Sequence, residues 1–406
     1  MYTFRTRLSA LLSALLIASV ILLAGCDDDS LTPPPVNDDL FARYVSLGNS
    51  ITAGFQSDGI NANTQQDAYP VLLAEQMGTP FESPLLADPG CRPPLTNALT
   101  GDRVGGGTAE TCNLRQTPAP VQLNNVAVPN AAVVDLIDNA APSNNANVLT
   151  QLFLGGRTQV EAAADVEPTF ATIWIGNNDV LNAAFAGVAT PETVTSPADF
   201  EARYTDALDT LEDAGAQGGV LYGVSDVTLI PHFSAGAAYA AAEDQLNAVG
   251  SNLSPAWGSF NVDASCAPDQ QGATTLVPAN YGLFNLLVEA LEGADVTLNC
   301  ADDERVLSGE EVALLQSRVD AYNIFIQQEA EARGWVYQPI NPTLRSLRES
   351  GAIPPFPDLT DPDGNLFGTA FSLDGIHPNS ATHEVVANTT IEAINAEYGT
   401  SLSTLP

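Results

Sequence analysis

The sequence predicts an α/β fold, a three-layer α/β/α sandwich around a central, mostly parallel sheet of five strands. Short apolar runs recur along the chain, each followed by a polar or Gly/Asn-rich turn and then by a stretch with helical periodicity. The runs are apolar throughout rather than alternating, which is typical of strands buried on both faces of a parallel sheet. With 406 residues, 45% of them hydrophobic, the chain has room for one large domain or two ordinary ones.

The strands and helices are predicted in alternation. The strands are expected at 43–47, 125–128, 170–175, 219–224 and 335–337. The helices are expected at 69–77, 133–137, 198–214, 309–332 and 380–397. Because the carboxyl ends of parallel strands meet at one edge of a sheet, the polar motifs that follow these strands should lie together there.

Residues at about 232–305 interrupt this alternation and are predicted to form an insertion near the site. The segment is Ala/Gly-rich at first, then apolar, and contains Cys266 and Cys300. Two interpretations remain open. The insertion only packs against the domain, or it forms a lid or a wall for an acyl chain.

The amino-terminal residues resemble a bacterial lipoprotein export signal. Residues 1–25 have two early arginines, a long apolar run and small residues before Cys26, whose thiol would carry the lipid. The alternative is an uncleaved membrane anchor. Residues 26–40 would then be an acidic, Pro-containing tether, and residues 41–406 the main folded domain with its insertion. The protein is therefore expected to be exported and anchored by its lipid to a bacterial membrane. The outer membrane or cell surface is favoured over the inner membrane.

The charge balance excludes polyanion-binding roles. The chain has 13 basic residues, all of them arginine, against 49 acidic residues, for a formal net charge of −36. Such a surface repels nucleic acid, so no nucleic-acid partner is expected. The hydrophobic fraction is too high for a disordered acidic chain, and the pattern resembles proteins of salt-rich environments. We therefore expect the fold to be stabilised by salt.

Four cysteines besides Cys26 are predicted to form structural disulfides. An even number in an oxidising compartment favours pairing, and four cysteines allow three pairings. The sequence-local solution joins Cys91 to Cys112 and Cys266 to Cys300, each bond contributing roughly 3 kcal/mol in the chain-entropy model. A zinc site is disfavoured because no close cysteine pair or histidine partner supports it.

Two polar motifs follow predicted strands in a way that suits nucleophilic catalysis. Ser50 follows Gly48 and Asn49 at the end of the first strand, where its hydroxyl can face a cleft. Asn178 lies in the block 176–179 after the most apolar strand, where its amide can donate to a developing oxyanion. Each motif is also compatible with an ordinary turn.

The third motif is an Asp-x-x-His pair before the last predicted helix. On such a turn the carboxylate of Asp374 can orient the ring of His377 while the other ring nitrogen faces a serine. The chain has three histidines. Of the other two, His383 is expected on the exposed face of the last helix, and His232 is expected to be a loop residue rather than a second base.

Together these motifs resemble the GDSL/SGNH hydrolase superfamily over roughly residues 42–395. Residues 48–51, Gly-Asn-Ser-Ile, match its serine block, with Asn49 where many members carry Asp. Residues 176–179, Gly-Asn-Asn-Asp, match its Gly-x-Asn-Asp block, and 374–377 match its Asp-x-x-His block. Asn130 takes the place of the glycine whose backbone N–H contributes to the oxyanion hole in the family. The resemblance implies a flavodoxin-like sheet.

The resemblance also implies a mechanism, a two-step acyl transfer that needs no metal and no cofactor. Ser50 is the expected nucleophile, His377 the base and Asp374 its orienting carboxylate. Asn178 and the N–H groups of Ser50 and Asn130 are expected to hold the oxyanion. Since His377 must be neutral to act as a base, activity should fall at acid pH.

The expected substrate is a small-molecule, lipid or glycan ester, and two other functions remain open. A lipoprotein could bind such a ligand on the same scaffold with little or no turnover. A glycan O-deacetylase or an acyltransferase could use the same site. Turnover of acyl esters of graded chain length would separate these functions.

Overall fold

The computed structural model describes residues 38–301, 304–361 and 363–406. The strands, in chain order, are β1 Tyr44–Gly48, β2 Phe170–Trp174, β3 Gly218–Tyr222, β4 Phe233–Ala235, β5 Ser259–Val262, β6 Leu276–Pro278, β7 Asp295–Leu298 and β8 Val336–Gln338. The helices up to the insertion are α1 Ser50–Ala53, α2 Ala62–Gln66, α3 Tyr69–Met77, α4 Val148–Leu154, α5 Gln159–Ala164, α6 Asn178–Ala186 and α7 Pro197–Asp213. The later helices are α8 Gly236–Leu253, α9 Ala279–Tyr281, α10 Val288–Leu291, α11 Gly309–Arg333, α12 Asn341–Glu349 and α13 Ser380–Tyr398.

The central sheet has the strand order β1-β2-β3-β8, and every pair in it is parallel. All residues of β1, β2 and β3 are buried, as the continuous apolar runs predicted. The described residues belong to one compact unit rather than two. The predicted α/β fold with a parallel sheet is confirmed.

The predicted strand at 125–128 is present as an extended segment on the free side of β1 rather than as a full strand. The N–H of Ser46 donates to the carbonyl of Asn124, and the N–H groups of Val126 and Val128 donate to β1. A parallel bridge joins Ser46 to Asn125. The Asn125 side chain bonds the backbone N–H of Ala127 and so competes with a regular ladder. The sheet is therefore four strands plus this segment, in flavodoxin-like order.

Helices cover both faces of the sheet and produce the predicted three layers. Helices α5, α7 and α11 pack on one face, and α3 and α13 pack on the other. Buried aromatic rings fill both interfaces. Trp174 stacks on Tyr222 with ring centroids 4.8 Å apart on the α3 side, and Phe200 stacks on Tyr322 at 4.1 Å on the α11 side.

The long helices begin and end where local chemistry requires it. Helix α11 starts at a capping box in which the Ser308 hydroxyl and the Glu311 carboxylate each accept the other residue's N–H. It ends at Gly334 in the left-handed conformation, at φ 66°. The predicted helices at 69–77, 198–214, 309–332 and 380–397 all agree with the structure to within one residue. The predicted helix at 133–137 is a short 3₁₀ turn, Val133–Leu136.

The segment predicted as an insertion forms its own small substructure beside the main sheet. Strand β4 pairs antiparallel with β6, and β5 pairs parallel with β7. A π-helical turn, Gly282–Leu287, connects α9 to α10. The predicted disulfide between Cys266 and Cys300 closes this substructure, and the predicted Cys91–Cys112 disulfide is also formed.

Cys26 and most of the predicted tether lie outside the described residues. No helix within the described ranges is long and apolar enough to cross a bilayer.

Candidate active site

Ser50 lies at the carboxyl end of β1, at the first residue of α1. The Asn49 side chain caps this helix by accepting the N–H of Ile51 at 3.1 Å. The chain turns sharply at Gly48, where a Cβ atom would lie 2.5 Å from the carbonyl oxygen of Trp174. Glycine is therefore required for the close approach of β1 to β2 just before the serine.

A continuous hydrogen-bonded chain links Ser50, His377 and Asp374. The hydroxyl of Ser50 lies 2.8 Å from Nε2 of His377, and Nδ1 of His377 lies 2.8 Å from Oδ2 of Asp374. A carboxylate oxygen only accepts, so the ring proton is on Nδ1 and Nε2 is free to accept from the serine hydroxyl. The serine is 327 residues away from His377 in sequence, and the fold brings the two into contact.

The carboxylate of Asp374 is buried and surrounded by donors. Oδ1 accepts the N–H groups of Ile376 and His377 at 2.8 and 2.9 Å, and Oδ2 also accepts the N–H of Asp58 at 2.7 Å. Burial alone would raise the pKa of Asp374, but the charge and hydrogen bonds of His377 and the Asp58 N–H hold that pKa below its usual range. Asp374 therefore stays ionised beside the imidazole.

The loop that supplies the Asp58 N–H is held by two arginines. Oδ2 of Asp58 lies 2.8 Å from Nη1 of Arg92 and 2.5 Å from Nη2 of Arg103. The side chain of Arg103 is nearly buried, so its contact with Asp58 is not a mobile surface ion pair. This contact holds the loop in place. The sequence motifs gave no signal for this contact, because the loop is irregular.

Asn178 and Asn130 lie in the same cleft as Ser50. The Asn178 amide nitrogen donates to the carbonyl of Ala131 at 2.9 Å, which leaves its second N–H for another acceptor. Asn130 adopts the left-handed conformation at φ 72°, which asparagine tolerates better than most residues. The five predicted site residues are thus brought together at one edge of the sheet.

Asp179, the last residue of the 176–179 block, fastens the loop that follows Asn130. Its carboxylate accepts the N–H of Val133 at 2.9 Å and the hydroxyl of Thr195 at 2.7 Å. Burial raises the pKa of Asp179 to about 6, against the lowering effect of these hydrogen bonds. The 176–179 block thus contains both a candidate oxyanion donor, Asn178, and Asp179, which holds the loop after Asn130 in place.

Gln159 was not anticipated from the sequence. Its buried side chain bonds the peptide groups of Gly48, two residues before the serine. The only available signal was a polar residue at a position of α5 that faces the sheet.

The expectation for His383 is wrong, because this residue is fully buried rather than exposed. Its Nδ1 accepts the N–H of Tyr69 at 3.2 Å, and burial lowers its pKa to about 3. The buried face of α13 continues through Ala387, Ile391 and Ile394. That spacing, read from position 383 onward, would have placed the histidine inside.

The cleft at the site has a volume of about 1020 Å³, and its wall contains both polar and apolar side chains. One part is polar and contains Asp58, Arg92, Arg103, Glu110 and Thr111. Another is apolar and contains Leu181, Phe185, Phe284, Ile340, Leu344 and Leu347. Within the described ranges, no group of three or more His, Cys, Asp or Glu side chains is arranged to hold a metal ion.

A flavodoxin-like parallel sheet with a Ser-His-Asp contact at the carboxyl ends of its strands is typical of a serine hydrolase. The chain belongs to the GDSL-like lipase/acylhydrolase family, whose model matches residues 44–390. It is a hydrolase that acts on ester bonds.

Solved structures that are similar to this chain share little sequence with it. An acetylxylan esterase from Geobacillus stearothermophilus is 12% identical, over 89% of this chain and 96% of its own, with a TM-score of 0.38. An alpha/beta hydrolase enzyme from the metagenome of Lake Arreo, Spain, is 15% identical, over 87% of this chain and 94% of its own, with a TM-score of 0.36. No curated protein matches the sequence significantly.

Proposed function

We propose that this hydrolase cleaves a carboxylic ester through an acyl-enzyme on Ser50. The observation that supports the proposal most directly is the unbroken chain of hydrogen bonds from Ser50 through His377 to Asp374. Such a chain activates a hydroxyl whose own acidity is far too weak for attack at neutral pH.

In the first step, Oγ of Ser50 attacks the ester carbonyl carbon while Nε2 of His377 takes the hydroxyl proton. The ester C–O bond then breaks, and His377 returns that proton to the departing alcohol. In the second step a water molecule attacks the acyl-enzyme with His377 again as base, and the carboxylic acid leaves as the serine is restored. Asp374 keeps the proton on Nδ1 and stabilises the imidazolium that forms in each step.

In the proposed reaction, three N–H donors stabilise the negative charge that develops on the carbonyl oxygen. They are the free amide N–H of Asn178 and the backbone N–H groups of Ser50 and Asn130. Asn178 is oriented in advance by its bond to Ala131, so the donor needs no reorganisation during the reaction. The left-handed conformation of Asn130 suits a position for which the family resemblance implies glycine.

The substrate we propose has an acyl chain longer than acetyl. The face of α6 that lines the cleft carries, at helical spacing, Asn178, Leu181 and Phe185. An apolar surface therefore begins beside the proposed oxyanion donor and extends along α6 for roughly 10 Å. Phe284 of the insertion lines the same cleft, which favours the acyl-wall interpretation of the insertion.

We further propose that the enzyme works while attached to a bacterial membrane. The support is the sequence of residues 1–26, with its basic start, apolar run and Cys26 after small residues. Metabolic labelling with an alkynyl fatty acid tests this idea. The proposal expects label on the wild-type protein and none on Cys26→Ser.

Hydrolysis of p-nitrophenyl esters from acetate to decanoate tests the function. We expect turnover with a preference for medium or long chains, and labelling by a fluorophosphonate that is lost in Ser50→Ala. A strict preference for acetate would favour a deacetylase. No hydrolysis with intact folding would favour a binding protein.

Phe284→Ala tests the acyl wall. Removal of the ring should lower kcat/KM for octanoate by about 10-fold and leave acetate nearly unchanged, because only the longer chain reaches it. The matched control is Phe325→Ala on α11, a half-buried phenylalanine that does not line the cleft. Equal losses for both esters in Phe284→Ala would contradict the assignment.

A further inference from the structure

His232 contacts the catalytic turn, although the proposed reaction does not use it. It precedes β4, at the beginning of the insertion, and is buried. Its ring packs between aromatic side chains, with centroid distances of 5.2 Å to Phe185 and 5.4 Å to Phe233. These contacts restrict the plane of the ring, and hydrogen bonds to both ring nitrogens set its orientation.

Both the backbone and the ring of His232 bond the turn that carries Asp374. The His232 N–H donates to the carbonyl of Gly375 at 2.9 Å. Nδ1 of the ring lies 2.9 Å from the carbonyl oxygen of Asp374. A carbonyl oxygen only accepts, so the proton of the neutral ring is on Nδ1. Nε2 is then an acceptor, which agrees with the N–H of Asn280 pointing to it at 3.4 Å.

The turn is thus held from two sides. From within, Oδ1 of Asp374 accepts the N–H groups of Ile376 and His377, which closes the turn on itself. From outside, His232 bonds the two successive carbonyls of the turn. Rotation of the turn would move the carboxylate and the imidazole together, and the outer bonds oppose that rotation.

The same histidine is tied to the rest of the insertion. Its carbonyl accepts the N–H of Ala279 at 2.8 Å, and β4, which follows it, pairs with β6. Asn280 and Phe284, which come just after β6, line the cleft. A short path of bonds therefore runs from the proposed acyl wall through His232 to Asp374.

We propose that His232 is a positioning residue that holds Asp374, and through it His377, in the geometry needed to activate Ser50. The insertion is accordingly a part of the active site rather than an appendage that only packs. This inference rests on the ester hydrolase function proposed above. Geometry of this kind matters because a displacement of about 1 Å can cost about 100-fold in rate.

The comparison of His232→Asn with His232→Gln tests the proposal. Both substitutions place an uncharged amide in the same buried site, so their effects on folding should be similar. The asparagine amide nitrogen can occupy the Nδ1 position and donate to Asp374. The glutamine amide extends to the Nε2 position and leaves the Asp374 carbonyl without its donor.

We expect His232→Asn to retain kcat to within about threefold and His232→Gln to lose about 10- to 100-fold in kcat, with little change in KM. The control is Phe260→Leu, a buried aromatic residue of β5 in the same insertion that does not line the cleft, and it should retain kcat. In an Asp374→Ala background, which retains residual activity, His232→Gln should have a much smaller effect, because the carboxylate that it would displace is absent.

Three results would overturn the proposal while wild-type turnover remains. They are equal kcat values for the Asn and Gln variants, a loss confined to KM, or an undiminished effect of His232→Gln in the Asp374→Ala background. If the wild-type protein itself neither hydrolyses esters nor reacts with a fluorophosphonate, the proposed function fails, and this inference fails with it.

Discussion

The side chain of Gln159 bonds both peptide groups of Gly48. Its Oε1 accepts the Gly48 N–H at 2.8 Å, and its Nε2 donates to the Gly48 carbonyl at 2.9 Å. A buried amide therefore continues the pairing of β1 where the strand ends and the chain turns toward Ser50. The position of the nucleophile depends on a residue 111 positions further along the chain.

The first prediction concerns this contact. Gln159→Leu should lower the free energy of unfolding by about 1 to 3 kcal/mol, because the Gly48 N–H is left buried without a partner. It should also lower kcat by roughly 10-fold, because Ser50 is two residues away from the loosened peptide. Urea unfolding and ester hydrolysis measure the two effects. Gln151→Leu, at an exposed position of α4, should change neither.

Asn178→Ala should reduce kcat by about 10²- to 10³-fold with a small change in KM, the usual effect of losing one oxyanion donor. The fluorophosphonate should still label Ser50, but more slowly. Asn182→Ala, one turn further on the exposed side of α6, is the control and should keep wild-type kinetics. A wild-type rate in Asn178→Ala would remove this residue from the oxyanion hole.

His383 makes the fold sensitive to acid. The native state holds His383 neutral down to about pH 3, whereas an unfolded histidine takes up a proton near its ordinary pKa of about 6.5. Between these values the unfolded state binds more protons, so stability falls as the pH falls. The contribution lost at about pH 4 is on the order of 3 kcal/mol.

His383→Asn tests this linkage, since its side-chain oxygen can still accept the Tyr69 N–H. The stability of the variant should decline less than that of the wild type between about pH 7 and about pH 4. The wild type and the variant must be compared because Asp179, with its pKa raised to about 6, also makes stability depend on pH. Its effect has the opposite sign to that of His383. Its contribution is present at low pH and is lost as the pH rises through about 6. Parallel pH profiles for the two proteins would contradict the role of His383.

Salt should stabilise the fold at neutral pH. With a formal net charge of −36, self-repulsion is large, and it is screened when the ionic strength rises from about 0.1 M to about 1 M. We expect the melting temperature in NaCl to rise over this range. The same titration near the sequence pI of about 4.1 is the control, because the net charge is then close to zero and the salt effect should nearly vanish. An equal rise at both pH values would exclude screening as its cause.

The main elements of the fold could be predicted because their signals are local. Continuous apolar runs marked β1, β2 and β3, and stretches of helical periodicity marked the long helices. The segment at 125–128 was harder, because its asparagine side chains compete with the strand pairing that its apolar residues suggest. The disulfide pairing followed from sequence proximity.

The positions of four candidate site residues were predictable for a related reason. They are Ser50, Asn178, Asp374 and His377. Each follows a strand or precedes a helix within a short motif, and parallel strands bring their carboxyl ends to one edge. Their roles in catalysis remain predictions, to be tested by the variants above.

The sequence by itself determined the order of the elements, the charge of the surface and the short motifs at the strand ends, because these depend on neighbouring residues. Only the tertiary structure decided which buried polar groups support those motifs. Asp58 donates to Asp374 across 316 positions, and His232 bonds Asp374 across 142. Such contacts leave no periodic pattern in the sequence, since they arise when packing buries a polar group and burial requires it to find a partner.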